Sequence, residues 1–168
     1  DQAGDHIRAF GGALEAGVNL EVGEDVKIRV GGEYAFASGD QDPTDGTIER
    51  FDPLLPFGHF YHGHMDLFGW RNLHNAVFKL KVSPMAKLSI HTDLHFFWLD
   101  KQKDGWLNPG GGIVRRDVTG KARDYVGAEI DVYVKYPLWD RVYMWAGYSH
   151  FWPGQYARDT GLDSDEDW

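Results

Sequence analysis

Four histidines and an aspartate crowd one stretch of this chain: His59, His62, His64, Asp66 and His74. Imidazoles at i, i+3 and i+5 can converge on zinc if the segment folds back on itself. No helix or fixed hairpin is evident to hold that geometry, and ring packing with Phe57, Phe60 and Tyr61 inside a plug uses the same side chains. Upstream, Asp40, Asp42 and Asp45-Gly46 echo an acidic calcium loop. Their spacing misses the EF-hand pattern by one residue and lacks the closing glutamate, so turn chemistry accounts for them. The run Asp163-Ser164-Asp165-Glu166-Asp167 is the other acidic place for Ca2+; no cofactor is expected otherwise. Ser149-His150 invites a nucleophile and its base, but neighbours on a strand face opposite ways. Glu129 and Asp131 do share a face, a spacing that serves a structural pair as readily as acid–base work. The expectation is a protein that is not an enzyme.

What must position these groups is β structure. The chain has 168 residues, 17 basic and 26 acidic, a net charge of −9 and no cysteine. Disulfides, a thiol nucleophile and a cysteine zinc site are excluded. An acidic chain with scattered Lys and Arg lacks the basic face that nucleic acid requires. The longest apolar run, Phe96 to Leu99, is far below the ~18–20 residues of a membrane-crossing helix, a limit that does not apply to barrels. Aromatics at 15% and 21 glycines point to strands.

Alternation predicts six strands, at about 9–22, 26–38, 75–83, 87–99, 127–136 and 141–151. In the first, Leu14, Ala16, Val18 and Leu20 oppose Glu15, Asn19 and Glu21. The same two-sided pattern sets Ile28 and Val30 against Lys27, Arg29 and Glu33, and Phe78 and Leu80 against Lys79 and Lys81. Leu94 and Phe96 oppose His91, Asp93 and His95, while Ile130, Val132 and Val134 oppose Glu129, Asp131 and Lys135. Val142, Met144, Ala146 and Tyr148 share a side of the sixth. Three connections are tight: Gly23-Glu24-Asp25, Pro84-Met85-Ala86 and Pro137-Leu138-Trp139-Asp140. The others, 39–74 and 100–126, are long, and a polar tail runs from Pro153.

Short and long links alternate, as they do in transmembrane barrels. Phe10, Tyr34, Phe36, Trp70, Phe96, Trp98, Tyr125, Tyr148, Phe151 and Trp152 fall where strands meet long loops, with Tyr136 and Trp139 at the short-turn edge. Two girdles at the headgroup level are the expected arrangement. Six strands with these turns put both ends on the long-loop side, and the smallest complete barrels use ~8 strands. The expectation is a piece of a larger barrel, processed or cut before Asp1, with further strands of the same polypeptide as partners.

The stretches Ala37-Ser38-Gly39-Asp40, Pro43-Thr44-Asp45-Gly46 and Phe51-Asp52-Pro53-Leu54-Leu55-Pro56 resemble the alginate-export family of outer-membrane barrels. So do Gly58-His59, Gly63-His64-Met65-Asp66, Trp70-Arg71-Asn72-Leu73 and Asp93 to Leu99. Gly127-Ala128-Glu129-Ile130-Asp131, Gly147-Tyr148-Ser149-His150-Phe151 and Pro153-Gly154-Gln155-Tyr156 continue the match. The order is kept over most of the chain, and the match looks like the C-terminal portion of the family's domain. The resemblance implies an antiparallel up-and-down β-barrel in the outer membrane of a Gram-negative bacterium. It also implies a porin that passes anionic polysaccharide or other small polar solutes.

In lipid the apolar face looks outward and the polar face lines the pore. The pore-lining candidates are then Lys27, Arg29, Glu33, Lys79, Lys81, Lys87, His91, Asp93, His95, Glu129, Asp131 and Lys135, with Glu15 and Glu21 beside them. Cations and anions balance, whereas a dedicated polyanion pore wants excess positive charge. A salt-bridge lattice that holds the wall is the plainer use of these residues, and segment 39–74 is expected to act as constriction or plug. Three other readings remain open. One is a soluble lipocalin-like ligand-binding barrel with the apolar face inward; the others are a lipid-modifying enzyme of the outer membrane, which would depend on His91, His95 or Glu129, and a structural or interaction barrel of the outer membrane.

Overall fold

A computed structural model describes residues 6–23, 25–56, 58, 61–161 and 166–167. In chain order the elements are β1 His6–Ile7, β2 Gly11–Val22, β3 Val26–Ala37, β4 Thr47–Ile48, β5 Leu73–Met85 and β6 Leu88–Trp98. They continue as β7 Trp106–Leu107, β8 Ile113–Arg115, β9 Tyr125–Trp139, β10 Val142–Pro153, α1 Gln155–Asp159 and β11 Glu166–Asp167. Six long strands, β2, β3, β5, β6, β9 and β10, pair antiparallel with their sequence neighbours, and β11 joins β10 at the edge. β2 and β10 do not pair with each other, so the sheet is open among the described residues.

Strand and turn residues fall close to where alternation puts them, with tighter hairpins. The β5–β6 turn is only Ala86-Lys87, because β5 runs through Pro84 with a register shift between Val82 and Met85. β9 likewise runs through Pro137 to Trp139 and shifts register opposite Val142/Tyr143. The β2–β3 turn puts Gly23 at φ +70, a region glycine enters without steric cost.

Register gives every strand the same two faces, because a side chain flips with each residue. Across β2 to β10 the partners Glu15–Glu33–Val77–His95–Glu129–Phe151 form one row on one face. The next rows are Gly17–Gly31–Lys79–Asp93–Asp131–Ser149 and Asn19–Arg29–Lys81–His91–Tyr133–Gly147. The long connections fold over this face. The opposite face is bare: Leu14 is 74% exposed, Val18 59% and Phe78 48%. So wide an uncovered apolar stripe is foreign to a soluble monomer and is the reverse of a lipocalin-like barrel, whose apolar face is inside.

Among the described residues, a compact core forms at the long-loop end of the covered face. Phe68 stacks on Phe97 with centroids 3.7 Å apart and on Trp106 at 4.9 Å; Leu73, Leu99, Val126, Phe151, Tyr156 and Ala157 complete the cluster. Two residues expected in the aromatic girdle sit elsewhere. Phe151 is fully buried because its odd position turns it to the covered face, and Trp70 lies in the loop, donating Nε1–H to the Phe36 carbonyl at 3.1 Å. The other rings do gather on the bare face, as Phe10–Phe36–His74, Phe96–Trp98–Tyr125 and Tyr148–His150–Trp152. The tail after Pro153, expected to be merely polar, forms α1, whose Tyr156 and Ala157 are buried.

Candidate functional site

The charged strand residues meet the connection 39–72 on the covered face, and that meeting is the site. The segment is anchored twice. At its ends it is tied to the second long connection: Arg50 forms a two-pronged ion pair with Asp104, which is fully buried. The Asp104 carboxylate also accepts the Asp40 N–H at 2.9 Å, and Asp100 accepts the Gly39 N–H at 2.9 Å. Asn72, at φ 49, donates to the carbonyls of Lys101 and Gly105 and accepts the Lys101 N–H. Trp106 Nε1–H reaches the Leu67 carbonyl at 2.7 Å.

In its middle the segment lies against the sheet wall. Met65 N–H donates to Glu129 Oε1 at 3.0 Å, and His64 N–H to Asp131 Oδ2 at 3.3 Å. Asn75 Nδ2 donates to the Tyr61 carbonyl at 2.9 Å and stands between the His62 and His95 rings. Gly63, at φ +88, crosses directly over Glu129, and a Cβ there would stand 2.3 Å from Oε1. Only glycine lets the backbone approach a buried carboxylate so closely. Burial pushes the His62 imidazole down to about 4, which keeps it neutral. Glu129 is itself fully buried, and its Oε2 has no hydrogen-bond partner among the described residues.

Below this docking patch the wall is a charge lattice. Lys79 pairs with Glu33 and, at 3.0 Å, with Glu15, which also binds Arg29 at 2.9 Å. Lys27, Arg29, Glu33, Lys79, Lys81, His91, Asp93, His95, Glu129, Asp131 and Lys135 all share this one face by register. Lys87 falls in the tight turn, outside the strands. The balanced set is graded along the strands. Glu33, Glu129, Asp93 and Asp131 lie towards the long loops, whereas Lys81, Lys27 and Lys135 lie towards the tight turns. Lys27 and Lys81 enter no ion pair among the described residues.

Among the described residues, the histidines of this stretch do not converge. His62 packs on Asn75, His64 Nδ1 sits 3.3 Å from Asp131 with its ring on Trp145, and His74 is on the bare face beside Tyr34. His59 lies outside the described residues, and among those described no three His or acidic groups are placed to hold a metal ion. In the acidic loop Asp42 accepts the Thr44 N–H and hydroxyl, and Asp45 the Thr47 N–H, as turn caps. Asp163 and Asp165 are outside the described residues. Ser149 donates to Asp131 on the covered face while His150 is on the other, so the two form no catalytic pair.

Spacing alone could not show that Asn72, Asn75, Arg50, Asp104 and Gly63 hold the loop, because partners such as Asp40 and Asp104, or Gly63 and Glu129, lie far apart in sequence. A family model described as alginate export matches residues 2–167. No curated protein matches the chain.

Proposed function

The chain belongs to the alginate-export family, and from that premise we propose that it is a section of an outer-membrane β-barrel channel. The channel passes anionic polysaccharide or other small polar solutes passively, without catalysis. The observation that carries this reading is the division of the sheet into two unlike faces. One is apolar, bare and belted with rings at one end, as a surface in contact with hydrocarbon is. The other is a charge lattice with a polypeptide segment docked on it, as a wetted wall with a constriction is. No helix among the described residues is long and apolar enough to cross a membrane, so crossing falls to the strands.

Closure of the barrel then falls to strands that pair with β2 and β10. β2 is exposed along its whole length, with one side of its backbone unpaired among the described residues, and such an edge is unfavourable in lipid. The direct test is reconstitution into planar bilayers. Stepwise ohmic conductance is expected from the complete polypeptide in which further strands close the barrel. A protein that remains dispersed without detergent and leaves the bilayer silent would return the chain to the soluble or purely structural readings.

A further inference from the structure

Towards the tight turns, the charged face carries aromatic rings that the loop leaves open. Trp145 is 48% exposed, and Tyr143, two residues away on the same face, is 72% exposed. The Trp145 indole lies nearly parallel to the His64 imidazole, 15° between planes and 5.5 Å between centroids, and 6.0 Å from the Tyr133 ring. Register sets Lys135 directly opposite Trp145, and the Lys135 ammonium stands 5.1 Å from the Tyr133 centroid. Next to Tyr133 a cleft of about 220 Å³ opens between Arg29, Lys79, Lys81 and Asp93.

A half-covered indole on a wetted, charged face gains free energy only when something apolar and flat covers it. An acyl chain would meet the opposite face, which is already apolar. A pyranose ring suits this place: its C–H face stacks on the indole while its hydroxyls stay hydrated. The cations supply the second recognition element, since an ammonium beside the platform pairs with a carboxylate on the sugar. We propose that Trp145, flanked by Lys135, is a stacking subsite for a carboxylate-bearing pyranose unit on the tight-turn side of the docked loop. The proposal rests on the reading of this face as the channel wall. Within that reading, it assigns the first contact of an anionic saccharide to an aromatic ring and not to the paired cations of the lattice.

The test is isothermal titration of the detergent-solubilised protein with an oligouronate hexamer, with maltohexaose as the neutral control. Trp145→Ala should weaken oligouronate binding about tenfold, and Trp145→Phe, which keeps a ring, about threefold or less. Lys135→Gln should weaken the oligouronate and leave maltohexaose unaffected. The far-UV β spectrum reports folding of each variant, and the phenylalanine and glutamine variants carry the test if the alanine variant fails to fold. Oligouronate binding that is absent in the wild type, or unaltered by Trp145→Ala, overturns the subsite. Planar-bilayer recordings of the wild type keep the two ideas separate. Conductance without oligouronate binding removes the subsite alone, and binding without conductance removes the channel alone.

Discussion

Gly63 and Asp104 show how single residues decide whether the loop sits on the wall. Gly63→Ala forces a Cβ into the Glu129 carboxylate from a backbone at φ +88. A cost of about 1–3 kcal/mol is expected for holding such a conformation without glycine, so the segment should lift from the wall. Chymotrypsin at neutral pH would then nick the chain near Tyr61; resistance equal to the parent would refute the docking geometry. Asp104 works from the other end of the segment. It is fully buried, and its carboxylate accepts both the Arg50 guanidinium and the Asp40 N–H. Asp104→Ala strands the half-buried Arg50 and one backbone donor, at a cost of about 3 kcal/mol. Urea denaturation of the reconstituted protein should show that loss, and a change in unfolding free energy below about a tenth of it would mean that the pair is solvent-screened. Asp42 and Asp117, by contrast, are local turn caps on the surface, where Thr44 and Thr119 hold each carboxylate below its ordinary range.

At the scale of elements, the strands were legible because their pattern is local. Alternation of Leu14, Ala16 and Val18 with Glu15 and Asn19 states both the strand and its two faces. The same holds for Val132 and Val134 against Asp131 and Lys135. What alternation could not show is where the long connections go. His62, Gly63 and Met65 contact Asn75 and Glu129 through hydrogen bonds and close approaches that carry no period. Tyr156, read as part of a polar tail, is buried because α1 folds back over Phe151 and Val126. The faces themselves yield a prediction. Val132 lies midway along β9 on the bare face, paired with Thr92 and Tyr148. If that face meets hydrocarbon, Val132→Arg should destabilise the protein in lipid vesicles by about 2–4 kcal/mol. Lys81→Gln, one row away on the charged face, should change stability by less than about 0.5 kcal/mol. Urea titration in vesicles compares the two; an arginine at 132 that costs no more than the glutamine at 81 would contradict contact with lipid.

For the whole molecule, the docked segment couples the two long connections to the wall, and its hold depends on pH through His62. This ring is 1% exposed, and burial brings its pKa down to about 4, against about 6.5 when the loop is free in water. Between those two values the released loop binds a proton that the docked loop refuses. The His62 contribution to docking is therefore full above about pH 7, weakens as pH falls through 6.5 towards 4, and changes no further below that. The full span is worth about 3 kcal/mol. Its neighbours on the wall are Asn75 and His95, and Glu33 and Trp70 line the adjoining cavity of about 250 Å³. His62→Asn retains a polar group without a titrating ring, so it should flatten the response. Hydrogen exchange of amides 61–66, corrected for intrinsic rates, should rise on going from pH 7 to pH 4.5 in the wild type and stay level in His62→Asn. Where the segment also narrows the channel, mean conductance rises over the same interval and with the same dependence on residue 62. Exchange that is identical in both proteins at every pH would show that the loop is held by Arg50–Asp104 and the aromatic core alone, with His62 a passenger in its hold.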